Sequence, residues 1–159
     1  MHIFFRSLFL VYFITHIPIT LLVDLQGAFG EYYPDPLRQL VAWYVLTFKD
    51  FLMGSSPAWF RSFLLCEAFF QLPLFFVAVY AIWEKKNWIR IPLIVYGSHV
   101  STTVIPCVFE FFCSDKLEPH EKMTLFGIYS PYLFIPLIIT LYMCLNSEPF
   151  HANKTKKIM

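Results

Sequence analysis

Four stretches of the chain, at 7–23, 62–83, 91–109 and 123–147, are apolar at nearly every position, and shorter polar segments separate them. The hydrocarbon core of a bilayer takes roughly 20 residues of helix, so each stretch is long enough to cross it. Backbone groups in lipid must be satisfied internally, and none of the four alternates apolar and polar residues as a barrel strand would. The pattern predicts an all-α membrane protein, a four-helix transmembrane bundle with helices near 7–24, 61–83, 91–112 and 123–146. These form one domain over 1–150, and a basic tail follows at 151–159. The first span follows a segment carrying only Arg6, and DLQGAFG matches a signal-peptide cleavage site poorly, so this span is expected to be retained.

Between the first two spans, Leu37, Leu40, Val41, Tyr44, Val45 and Phe48 recur at helical spacing, with Pro34 and Pro36 before them and Gly54 and Pro57 after. An amphipathic loop helix lying over the luminal mouth of the bundle is expected. Prolines fall in every span, at Pro18, Pro73, Pro92, Pro106, Pro131 and Pro136, where each removes a backbone donor and bends the helix. Bent helices can enclose a cavity.

Composition agrees: 58% of residues are hydrophobic, 20% aromatic and only 14% charged, whereas soluble domains carry about a quarter charged residues. A net charge of +1 and the lack of a basic stripe interleaved with aromatics argue against a nucleic-acid partner. There is no Gly-rich phosphate loop and no HExxH, and Cys66, Cys107, Cys113 and Cys144 show no CxxC spacing. No cofactor or metal is expected, and the thiols read as small apolar groups.

Lysine and arginine placement orients the spans. With a cytosolic N-terminus, Arg6, Lys85, Lys86, Arg90, Lys154, Lys156 and Lys157 face the cytosol, and Arg38, Lys49, Arg61, Lys116 and Lys122 face the other side. The C-terminal KKIM, with Lys156 and Lys157, resembles a dilysine signal for retrieval to the endoplasmic reticulum. The sequon at Asn153 would be usable only on a luminal tail, so the two motifs demand opposite topologies.

Ionisable groups inside a span are costly and by default mark a functional site. The first span carries His16, Thr20 and Asp24 at steps of four, the second Glu67 and Gln71, the third Tyr96, His99 and Thr103, and the fourth Tyr129 and Tyr132. Taken singly, the histidines, threonines and tyrosines can equally be hydrogen bonds from helix to helix. Asp24 and Glu67 are harder to account for that way, because no lysine or arginine shares their seams. Two carboxyls in an apolar cavity cannot both ionise cheaply, so Glu67 is expected to keep a proton and bond to an anionic Asp24, which would attract a cation.

The blocks HIPITLLVDLQ at 16–26, WYVLTFKD at 43–50, PAWFRSFLLCEAFFQLP at 57–73, YGSHVSTTVIP at 96–106 and YSPYLFIP at 129–136 resemble the sigma-2-receptor group of the EXPERA family, which also holds the emopamil-binding sterol isomerase. The resemblance implies a homodimer in the endoplasmic reticulum membrane, with the nuclear envelope and endosomal or lysosomal membranes as further locations. It implies binding of sterols, oxysterols and hydrophobic amines in contact with membrane lipids, a role in cholesterol homeostasis, and a Niemann-Pick-type cholesterol transporter as protein partner. It places the ligand ammonium on Asp24, bonded to Glu67, with His16, Tyr44, Phe48, Gln71, Tyr96, Thr103 and Tyr132 around the ligand and Asp50 supporting the loop. Val23 replaces a methionine of the mammalian members.

Two other classes remain open. A sterol isomerase needs an acid and a base, which Glu67 and Asp24 could supply, although Tyr129 and Tyr132 stand where the isomerase relatives carry Trp and Asn. A trafficking adaptor would merely store a sterol in the cavity.

Overall fold

The computed structural model describes residues 1–150; Lys156, Lys157 and the sequon at Asn153 lie outside the described residues. Among the described residues there is no strand, and four helical segments are long and apolar enough to cross a membrane: Ile3–Tyr32, Ala58–Trp83, Asn87–Cys113 and Pro119–Leu145. The first is built from α1 (Ile3–Ile19), a π-helical turn at Thr20–Asp24 and the short α2 (Gln26–Phe29). The loop contributes α3 (Asp35–Phe48) and α4 (Phe51–Ser55). The second segment joins α5 (Ala58–Cys66) through a π-helical turn at Glu67–Gln71 to α6 (Leu72–Trp83). The third and fourth are α7 (Arg90–Cys113) and α8 (Pro119–Leu145).

The helix α8 starts earlier than its apolar run. Glu118 and Glu121 form a reciprocal capping box, and Pro119 occupies the first turn, where its missing N–H costs nothing. Polar capping residues therefore extend the helix beyond the segment that hydropathy reveals.

The π turns stand next to prolines. In each, the hydrogen-bond ladder slips by one residue: the Leu25 N–H reaches back five residues to Thr20 O, and the Leu72 N–H reaches back five to Glu67 O. Pro73 follows the second slip directly and has no N–H to restore the α ladder there. Side chains take carbonyls of the first turn, since the Tyr33 hydroxyl donates to Leu21 O at 2.7 Å and Gln26 Nε2 donates to Leu22 O at 2.5 Å. Gln26 Nε2 also reaches Leu37 O at 3.2 Å, tying α3 to the end of the first span.

The bundle is assembled from two close pairs, α7 on α8 and α1 on α6, and α1 touches α8 much less. One apolar cluster unites Phe9, Phe13, Phe75, Ile82, Leu93, Tyr96 and Met143 at the end of the bundle where α1 and α7 begin and α6 and α8 finish. A second unites Leu52, Phe60, Leu64, Phe111 and Leu125 at the other end, beneath the loop. Arginines close the first end: Arg6 donates to Ile82 O and Trp83 O at 3.3 and 2.9 Å, and Arg90 donates to Met143 O and Asn146 O at 2.7 and 3.0 Å. These cations satisfy carbonyls at the C-terminal ends of α6 and α8, where helix dipoles favour positive charge. The outer surface is apolar, with Phe4, Val11, Phe69, Phe76, Ile105, Phe109 and Leu141 exposed, as lipid contact requires.

Gly97 permits the α7–α8 contact. A Cβ there would collide with the Thr140 hydroxyl and with the Pro136 carbonyl, which already accepts from Thr140 Oγ1 at 3.1 Å. Close approach through a small residue is a common way for membrane helices to gain packing. Gly97→Val is therefore expected to destabilise the bundle by about 1–3 kcal/mol, the usual cost of overpacking, measured as a lower Tm in detergent or nanodiscs. Gly127→Ala, where an added Cβ meets nothing in the interior of α8, should leave the Tm unlowered or raise it slightly.

Candidate functional site

Between the two apolar clusters lies a cavity of about 220 Å³. The two π turns bring its acids together. Asp24 closes the first turn and Glu67 opens the second, and their carboxyls are hydrogen-bonded to each other. Because an ionised carboxylate can only accept, a carboxyl–carboxyl bond holds a proton between the two groups. Thr20 Oγ1 donates to Glu67 Oε1 at 2.5 Å and fixes that side chain from the buried side. π turns inside helices frequently occur at functional sites, since the widened turn re-aims side chains.

His16 completes the group. Its Nε2 is 3.8 Å from Glu67 Oε1, and one ligand atom from each of His16, Asp24 and Glu67 lies within 4.8 Å of the others. The imidazole is wedged between Phe75 and Tyr132, at centroid distances of 4.7 and 4.8 Å, and its Nδ1 has no hydrogen-bond partner among the described residues. Among the described residues no lysine or arginine lines the cavity, so the acids face apolar and neutral walls.

Of the other expected site residues, Gln71, Tyr44, Thr103 and Tyr132 line the cavity. Phe48 and Tyr96 do not. Phe48 stacks on Tyr44 at 5.3 Å, one layer out, and Tyr96 is fully buried behind the wall, where its hydroxyl meets that of Tyr12 at 2.9 Å. His99 stands outside the cavity against Phe70, at 5.5 Å, with its Nε2 unpartnered. Met53, Phe60, Phe63, Leu64, Val100 and Cys107 line the cavity without having been expected there. Phe60, Phe63 and Leu64 lie seven, four and three residues before Glu67, so helical spacing from that acid could have found them. Met53 carries no such signal, because it arrives through the fold of the loop.

Asp50 holds that loop. Its carboxylate is fully buried, caps α4 by accepting from Met53 N at 3.0 Å, and accepts from the hydroxyls of Tyr44 and Tyr129, each at 2.9 Å. One side chain thus joins α3, α4 and α8. Lys49 just before it takes the left-handed conformation, with φ of 59°, which turns the chain between α3 and α4. Burial raises the Asp50 carboxyl above its ordinary 3.8, against the opposing pull of the bonds from Met53, Tyr129 and Tyr44.

The fold and site define a class: a helical membrane bundle with an acidic, aromatic-walled cavity at the level of its kinked turns. Residues 36–143 match the family model of EXPERA, the expanded EBP superfamily, and the chain belongs to that family. It is similar to the sigma intracellular receptor 2 of Xenopus tropicalis, with 45% identity over 94% of each chain. The human sigma intracellular receptor 2 is 42% identical, over 92% of this chain and 91% of its own. The efficient mitochondria targeting-associated protein 19 of Saccharomyces cerevisiae is 29% identical, over 83% of this chain and 92% of its own.

Replacing Asp50 by asparagine puts donors where three donors already converge, and should cost about 1–3 kcal/mol, as loss of a buried acceptor typically does. A carboxyl whose pKa is raised on folding contributes fully while protonated, below 3.8, and loses that contribution as pH rises through its folded value. The Tm margin of wild type over Asp50→Asn should accordingly narrow from acid towards neutral pH. A margin that widens instead would mean that the hydrogen bonds outweigh burial.

Proposed function

We propose that this protein is an intramembrane receptor for hydrophobic amines and sterols, acting in cholesterol homeostasis. One observation carries the proposal: two hydrogen-bonded carboxyls open into an apolar cavity that, among the described residues, no lysine or arginine lines. Asp24 is the anion that receives a ligand ammonium, and Glu67, whose Oε1 is taken by the Thr20 hydroxyl, carries the shared proton on its other oxygen. Tyr132 and Tyr44 offer ring faces to a cation and apolar area to its tail, while Gln71 and Thr103 supply polar contacts. Similarity to the sigma intracellular receptor 2 proteins supports the same reading.

The protein resides in the endoplasmic reticulum membrane with both termini cytosolic, as a homodimer, and a Niemann-Pick-type cholesterol transporter is its partner in trafficking. An unglycosylated Asn153 in a gel-shift assay agrees with this topology, and a band shifted by a glycan reverses it.

The acids are arranged for binding more than for isomerisation. An isomerase must place its acid and base at different atoms of the sterol, whereas Asp24 and Glu67 point at each other. The wall across the cavity presents Tyr129, Thr103 and Cys107.

Radiolabelled hydrophobic amine should bind membranes containing the wild-type chain and lose affinity about a hundredfold or more in Asp24→Asn, since the ammonium then enters an apolar site unpaired. Glu67→Gln should weaken it less, and binding of a neutral sterol should survive both. Undiminished amine binding in Asp24→Asn at matched folded protein would overturn the assignment. Turnover of an unconjugated sterol alkene that Glu67→Gln abolishes would make the protein an isomerase.

A further inference from the structure

We infer that His16, Asp24 and Glu67 form a binding site for a divalent transition-metal ion of the zinc class, in addition to the amine site they share. Three observations meet here. The three side chains each offer a ligand atom, one imidazole nitrogen and two carboxylate oxygens, all within 4.8 Å of one another. His16 is only 5% exposed yet leaves Nδ1 without a partner, and its Nε2, at 3.8 Å from Glu67 Oε1, is too distant for a hydrogen bond. A buried imidazole normally uses its nitrogens, so this one has a coordinating atom to give, with Nε2 already on the Glu67 side of its slot between Phe75 and Tyr132. Finally, the set stands beside an open cavity, which leaves a fourth position for water or a ligand.

The donor set fits the ion. Zinc bonds to histidine nitrogen and carboxylate oxygen at about 2.0–2.2 Å, so tetrahedral ligand atoms stand roughly 3.3 Å apart, and sites with an open position keep three protein ligands. The three ligand atoms lie within 4.8 Å of one another, so the side chains must draw together by up to about 1.5 Å to close on an ion. The Thr20 hydroxyl, at 2.5 Å from Glu67 Oε1, orients one ligand as supporting groups do in metal sites. Imidazole with carboxylates suits zinc, cobalt and nickel more than magnesium or calcium, which prefer all-oxygen shells.

Charge points the same way. An ammonium neutralises the pair while one proton stays between the carboxyls; a divalent ion neutralises both carboxylates once that proton leaves for bulk water. The two cations therefore exclude each other, and metal supply would govern how much of the receptor is open to amines. This inference rests on the acidic cavity proposed above, but its readout is the metal itself.

Full-length protein, stripped with chelator and placed in lipid nanodiscs, can be titrated with Co²⁺, whose visible absorption distinguishes four- or five-coordinate from six-coordinate binding. The expected result is one ion per chain with the intense bands of low coordination, bleached by Zn²⁺. His16→Gln should weaken Co²⁺ by about tenfold or more and Thr20→Val by a similar order, at Tm values showing folded protein. His120→Gln, on the exposed start of α8, should bind as wild type. A wild type that takes up no Co²⁺, or only with the weak bands of a six-coordinate aquo ion, overturns the inference without using any variant. Equal affinity in folded His16→Gln also overturns it. If Co²⁺ is absent while amine binding still depends on Asp24, the metal site alone falls; if Co²⁺ binds while amine binding ignores Asp24, the amine reading falls instead.

Discussion

The hydrogen bond between Asp24 and Glu67 is the interaction on which the rest of the site depends. A lone carboxylate in an apolar cavity would be costly, and a lone protonated acid would leave a donor unpaired. Joined, the two share a proton, and Thr20 satisfies one further lone pair. Their backbones belong to different spans, so the bond also fixes the first span against the second at the depth where both helices change pitch.

The change of pitch has its own cost, and the structure meets it locally. A π turn carries a slipped ladder, and at Thr20–Asp24 two of the carbonyls it presents are taken by Gln26, at the start of α2, and by Tyr33, just beyond the span. Gln26 reaches on to the carbonyl of Leu37, so the same side chain that completes the turn anchors the loop helix. From the opposite end of that helix, Asp50 gathers Tyr44 and Tyr129. The cavity roof is thus attached at both ends to the elements that bear the carboxyls and the aromatic wall. Loop docking and site geometry are not independent.

Much of this was legible in the sequence. The apolar runs gave four spans, and steps of four from His16 to Thr20 to Asp24 and from Glu67 to Gln71 placed those groups together, because such neighbours stay adjacent in an α or a π turn. Hydropathy could not see that α8 begins at Pro119, since its start is set by the charged pair Glu118 and Glu121. Nor could it see that Arg6 and Arg90 cap helix ends, because that contact joins residues more than fifty apart in the chain. The resemblance placed Tyr96 and Phe48 around the ligand, but both stand one layer behind the cavity surface, where they set the position of Tyr12 and Tyr44. Met53 was beyond reach, as its place depends on the tight turn at Lys49 and on the cap from Asp50.

The arrangement also explains why a carboxyl pair suits this cavity better than a single acid. A single aspartate would have to pass between a charged and a neutral state as ligands came and went, with the full desolvation penalty falling on one group. In a pair that holds one proton, the negative charge is spread over two carboxyls, with the Thr20 hydroxyl donating to one of them, and the proton between them can shift as a cation approaches. On the proposed reading, a neutral sterol would meet two carboxyls that already bond to each other, and an amine would meet the negative charge they carry. The same few atoms would then serve both kinds of ligand because the hydrogen bonds of the carboxyl pair are made internally before either arrives.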